Sequence, residues 1–280
     1  MIVALDTETF YRKRYSVADL GVDRYAAHPD FKVTLVSIVC EDGFEWVGPP
    51  EQLPVERLNG QTLISHNAEF DSVVCRSAIT RGQMPSFTPA DWHCTADMVS
   101  YFQLPRSLGQ AYAHLFNEEL PKEARNEMMG LSAQEVQENQ SFALYALNDS
   151  RACLRIYQEL ISVFPEKEII LSSLTRRVAN RGLPLNGPLC QKMIDQAKSL
   201  LEQTDRKTTL WRQVNIVGNF TLALIFRVRT DRRVSTRLNY HGASHTGRWS
   251  GTGGLNFQGI LKDDIQGIAP RKCLEAPAGR

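Results

Sequence analysis

The chain opens on an apolar run, Ile2-Val3-Ala4-Leu5, that stops at Asp6-Thr7-Glu8-Thr9. A short apolar run closed by polar residues reads as a buried strand. Side chains alternate faces along a strand, so Asp6 and Glu8 share one face while Thr7 takes the other. Tyr11 to Pro29 is polar and loop-like. Val33–Cys40 and Gly43–Val47 then read as strands, and the tight-turn step Asp42-Gly43 between them predicts a hairpin. Gln61–His66 is a further strand that runs into Asn67-Ala68-Glu69-Phe70-Asp71, where a helix begins and continues to Ile79. Asp71 thus falls in a first helical turn.

Helical patterning dominates from there. Thr95–Phe102 and Ser107–Phe116 are two short helices parted at Leu104-Pro105, the second with Ser107 as N-cap. Ser132 and Glu135 stand at capping-box spacing ahead of a helix reaching Glu138. From Ser141 to Phe164 apolar residues recur with helical period and no internal Pro or Gly, which predicts the longest helix. Tyr145 and Asp149, four apart, share one face of it. Pro165 breaks it, Glu166–Arg181 forms another helix ending at Gly182, and Asn186-Gly187-Pro188 starts one more. Beyond Gln203 the periodicity fades, and Gly242 to Gly259 is glycine-rich. Strands interrupted by helices make residues 1–165 an α/β domain with a mixed central sheet and flanking helices. Residues 166–280 make a second, mainly helical and partly irregular segment.

Charge sharpens this division. The net charge is only +1, yet Arg176 to Arg248 holds fourteen Lys and Arg against four acids, so an acidic body carries a basic arm. Such an arm suits a polyanion, or is simply a solvated basic face. Six cysteines without a Cys-x-x-Cys pair point to reduced, buried thiols. No basic leader and no run of eighteen apolar residues is present, so a cytoplasmic protein that does not span a membrane is expected. His93-Cys94 lacks a second ligand pair for zinc, and His66 and His114 are assigned no chemistry.

Two carboxylates on one face at a strand end repel. The repulsion is relieved by protonation, by intervening water, or by a divalent cation. The chain supplies two more acids at element ends, Asp71 and Asp149. Four carboxylates are what two Mg2+ or Mn2+ ions require, and such a pair can activate water at a phosphodiester. Tyr145, one turn before Asp149, could hold that water.

Asp6-x-Glu8, Asn67-x-x-x-Asp71 and Tyr145-x-x-x-Asp149, in this order, resemble the three motifs of the DEDDy 3′-to-5′ exonucleases, whose fold is ribonuclease-H-like. The resemblance implies that Asp6 bridges two metal ions and that Glu8 and Asp149 complete one site. It further implies that Asp71 serves the other ion mainly through water, that Tyr145 orients the nucleophilic water, and that Thr9 and Asn67 contact the terminal nucleotide.

Thr246-Gly247-Arg248-Trp249-Ser250-Gly251 and Asn256-Phe257-Gln258 are similar to the segment that precedes the palm in family A DNA polymerases, particularly phage forms. Arg181-Gly182-Leu183-Pro184-Leu185 resembles the start of their thumb. This likeness implies that Arg248, Asn256 and Gln258 bind nucleic acid, and that residues 166–280 are a partial thumb and pre-palm segment. Gly259 and Leu261 depart from the family's usual Asn and Pro. Neither palm carboxylates nor a fingers helix follows, so the resemblance implies an exonuclease that cannot polymerise alone. Its substrate would be a single-stranded or frayed 3′ DNA end, in a bacterial host's cytoplasm if phage-encoded. Two alternatives stand beside it: a ribonuclease-D-like exoribonuclease, and a DNA-binding subunit that docks a separate palm-and-fingers chain.

Overall fold

Alternation along three central strands decides which helices cover which face of the sheet. β1 (Ile2–Thr9), β2 (Val33–Cys40), β3 (Glu45–Gly48), β4 (Thr62–Ser65) and β5 (Asp91–Cys94) form one sheet in the order β3-β2-β1-β4-β5. β1 and β2 are antiparallel, as are β2 and β3, whereas β1, β4 and β5 run parallel. Val3, Leu5, Ile38 and Leu63 belong to the core on one face. Their chain neighbours Ala4, Val39 and Ile64 belong to the core on the other. The computed structural model describes residues 1–121, 127–236, 238–243, 246–251, 256–260 and 263–274, with the backbone alone at position 258.

On the first face lie α1 (Val17–Leu20), α2 (Val22–Ala27) and α3 (Ala68–Thr80), whose Val73, Val74 and Ala78 are buried with Tyr25 and Phe31. On the second lie α4 (Thr95–Tyr101), α5 (Leu108–Phe116) and the 21-residue α7 (Gln140–Leu160), after α6 (Ala133–Glu138). Ser132 and Glu135 form the expected capping box, and Asn139 caps α7 through the Ser141 amide. This is an α/β fold with a mixed five-stranded sheet between helices.

The chain divides into two compact units, Met1–Thr175 with Tyr240–Arg248, and Arg176–Asn239 with Trp249–Arg280. α8 (Glu166–Arg181) runs across the division. In the second unit α9 (Gly187–Gln203) packs on α10 (Thr209–Phe226), and the two-stranded pair β6 (Leu183–Pro184) and β7 (Arg233–Val234) closes on Gly182. A Cβ at Gly182, where φ is +66°, would stand 2.7 Å from the Val234 carbonyl oxygen, so only glycine fits this strand entry.

Four elements differ from the sequence reading. Tyr11–Pro29 holds α1 and α2 rather than a loop. Helices of four and six residues are too short to show a period, and the stretch is anchored by Tyr15 stacked on Tyr25 at 4.8 Å. β5 is a four-residue edge strand with too few positions to alternate. α10 occupies the region where periodicity fades. Its buried Val214, Val217, Thr221 and Leu224 keep helical spacing, but exposed Ile216, Leu222 and Phe226 put apolar residues on the outer side too. All six cysteines are buried. Among the described residues, no helix is long and apolar enough to cross a membrane.

Candidate active site

β1 and α7 between them bring three carboxylates together. One oxygen each from Asp6, Glu8 and Asp149 lies within 4.8 Å of the others, and all three side chains are part-buried. The sequence explains the convergence. Asp6 and Glu8 continue the Ala4 face, which is the face α7 covers. α7 approaches β2 closely because small residues meet there: the Ser37 hydroxyl donates to the Ala146 carbonyl at 2.8 Å and lies 2.7 Å from Ser150 Oγ. Ala146 and Ser150 are one turn apart and so share the sheet-facing side, which leaves Tyr145 and Asp149 on the flank towards the β1 carboxylates. Arg151 pairs with Glu45 on β3, a second tie between α7 and the sheet.

The Tyr145 phenol is hydrogen-bonded to the Asp149 carboxylate. Burial first, and then the negative charges of Asp149, Glu8 and Asp6, raise its pKa. It therefore stays protonated, donates to Asp149, and keeps its oxygen lone pairs for a further donor such as water.

Asp71 is not part of this three-carboxylate group. It sits in the first turn of α3, is buried, and its carboxylate accepts the Thr7 hydroxyl at 2.8 Å. Thr7 has the opposite parity on β1 from Asp6 and Glu8, so one strand orients acids on both sides of the sheet. Burial pushes the Asp71 carboxyl up to about 7, and the Thr7 bond offsets part of that. Thr7 is a positioning residue that the sequence reading missed, although its parity was readable.

The two residues expected at the terminal nucleotide are also at element ends. Asn67, exposed, precedes α3 with φ 111° and ψ 55° and makes no side-chain cap, so a strained backbone leaves its amide unspent. Thr9 follows a register shift in β1, and its hydroxyl is 2.7 Å from the Tyr25 phenol. Arg248 and Asn256 are exposed; the Gln258 side chain lies outside the described residues. His66 is held by Thr95 Oγ1 at 2.9 Å and the Arg106 carbonyl at 2.8 Å, a satisfied structural histidine.

An all-oxygen donor set of three converging carboxylates is the chemistry hard divalent cations require. The residues present fit Mg2+ or Mn2+.

No family model matches the sequence, and no curated protein does. Among solved structures, the POL domain of Pol1 from M. smegmatis, in complex with DNA primer-template and dNTP, gives a TM-score of 0.61. Its identity is 16%, over 99% of this chain and 55% of that chain. NrnC from Brucella melitensis, bound to pGG, gives 0.43 at 18% identity over 63% and 79%, too low for a shared fold to follow. The first likeness shows a fold in common, and this chain spans about half the length of that structure.

Proposed function

We propose that the chain is a metal-dependent 3′-to-5′ DNA exonuclease of proofreading type. In this reading it is the DEDDy nuclease region and partial thumb of a phage-type family A polymerase. The observation that carries the reading is the convergence of Asp6, Glu8 and Asp149 with the Tyr145 phenol on Asp149. The likeness in fold to a polymerase domain supports it.

Asp6, Glu8 and Asp149 would hold the metal ions, with Asp71 serving a second ion through water; bound, the ions supply an activated water and charge neutralisation at the phosphodiester. Tyr145 accepts a hydrogen bond from the attacking water and aims its lone pair. Attack on phosphorus forms the new P–O bond, and the bond to the 3′ oxygen of the preceding nucleotide breaks. A 5′-mononucleotide leaves. Asn67 and Thr9 fix the terminal nucleotide, while Arg248, Asn256 and Gln258 contact DNA from the later part of the chain. Residues 1–165 correspond to the nuclease and 166–280 to the thumb and pre-palm segment.

The test is digestion of a 5′-labelled, 3′-mismatched primer-template with Mg2+, beside the matched RNA. The expected result is single-nucleotide laddering of DNA that stops in EDTA. Asp6→Ala or Asp149→Ala should lower the rate at least about 10³-fold and Tyr145→Phe about 10²-fold. Undiminished activity in both Ala variants sinks the assignment, and a strong preference for RNA moves it to an exoribonuclease.

A further inference from the structure

Beyond the carboxylates, β1 leads into an open groove of about 420 Å³ lined by Phe10, Arg12, Asp30, Lys32, Ser132 and Ala133. That volume lies in the range of about 300–1,000 Å³ typical of ligand sites. Phe10 is two residues past Glu8, roughly 7 Å along the strand. Lys32 is level with it, because the Phe10 amide donates to the Lys32 carbonyl at 2.9 Å. The groove therefore continues the line of the site.

Its charge is unusual for its surroundings. Residues 1–175 hold fourteen Lys and Arg against twenty-four acids. Two of those fourteen cations, Arg12 and Lys32, line the groove, and Lys13 and Arg14 follow Arg12 in the chain. The turn that begins at Arg12 is closed by two backbone hydrogen bonds between Arg12 and Tyr15, at 2.9 and 3.0 Å. Asp30 offsets one charge through its 2.5 Å pair with Arg12, and that guanidinium holds its carboxyl below the usual range. Lys32 is exposed and has no ion-pair partner among the described residues. Beside it Phe10 is only part-buried, tilted against Tyr15 at 6.1 Å. A cation on a phosphate track beside an aromatic face is the arrangement that holds single-stranded nucleic acid.

We propose that this groove is a strand-binding subsite. Lys32 takes a backbone phosphate upstream of the 3′ end, and Phe10 takes the adjoining base or sugar. The inference rests on the exonuclease reading for its substrate. It commits to the strand rather than the released mononucleotide because the groove is open to solvent instead of ending in a closed pocket.

The experiment measures binding of 5′-fluorescein-labelled dT12 in EDTA, across a salt series, to the full chain and to Lys32→Glu. Lys167→Glu on α8 serves as a charge-matched control. Turnover of the p-nitrophenyl ester of thymidine 5′-monophosphate with Mg2+, a substrate without an upstream strand, is followed in parallel. Lys32→Glu is expected to weaken strand binding roughly tenfold at low salt and to flatten the slope of log K against log salt by about 0.7. Ester turnover should stay within about twofold of the parent. Unchanged affinity overturns the subsite, as does a loss equal to that in Lys167→Glu, or a parent chain that binds no strand in EDTA. If Lys32→Glu alters only inhibition by free thymidine monophosphate, the groove holds product and the strand assignment falls. A chain that cuts nothing yet binds dT12 through Lys32 refutes the nuclease and keeps the groove.

Discussion

At the residue scale, the β1 side chains proposed to carry the chemistry also record how they are oriented. Asp6 and Glu8 were legible as a pair because strand parity is a property of sequence alone, and Tyr145 and Asp149 because helical spacing is. That Asp6, Glu8 and Asp149 share a site was an expectation from the motif resemblance; the contact that brings them together was not legible, since it depends on Ser37 and Ser150 letting α7 close on β2 across more than a hundred residues. Nor was the state of His66. Burial drops its pKa to about 4 while it stays bonded to Thr95 and the Arg106 carbonyl. A depressed folded-state value means the unfolded chain binds the proton first. Stability is complete above the ordinary value near 6.5 and falls as pH drops from there towards about 4, by at most ~1.4 kcal/mol per pH unit. Thermal melts at pH 7.5, 6 and 4.5 should show this loss, and His66→Gln should reduce it. A parent and variant with parallel pH profiles would exclude His66 as the cause.

Elements that bury one clean face were readable, and those that do not were missed. α7 shows a helical period over twenty-one residues, whereas α10 spends apolar residues on both sides and disguises itself. Its close approach to α9 hangs on Gly218, where a Cβ would meet the Ala197 methyl at 2.9 Å. Gly218→Val should therefore cost about 1–3 kcal/mol by overpacking, read as a lower denaturation midpoint in guanidinium. Ala197→Gly in that background should recover part of the loss, because the two positions share one contact. A midpoint unmoved by Gly218→Val would contradict this packing.

For the whole molecule, charge segregation was plain from composition, but how many charges remain available was not. Arg229 is tied to the Asn180 carbonyl and Asp231, and Arg233 reaches the Gly182 carbonyl, so part of the basic arm serves the fold. The rest should still make single-strand binding steeply salt-sensitive, with a slope of about −2 or steeper, equivalent to three or more phosphates. Anisotropy between 50 and 200 mM salt checks this, and a flat response would remove the arm from DNA binding. The first unit is itself discontinuous: Tyr240, from the returning stretch Tyr240–Arg248, is buried in its second core, bonds Glu168 through its hydroxyl and accepts from Arg106 at 3.3 Å. During synthesis at about 5–20 residues per second, the stretch from Thr175 to Arg248 takes roughly 4 to 15 s to emerge. For those seconds the nascent first unit waits on the ribosome with its core short of one tyrosine, so the α/β body, though translated first, is finished only after most of the second unit has been made.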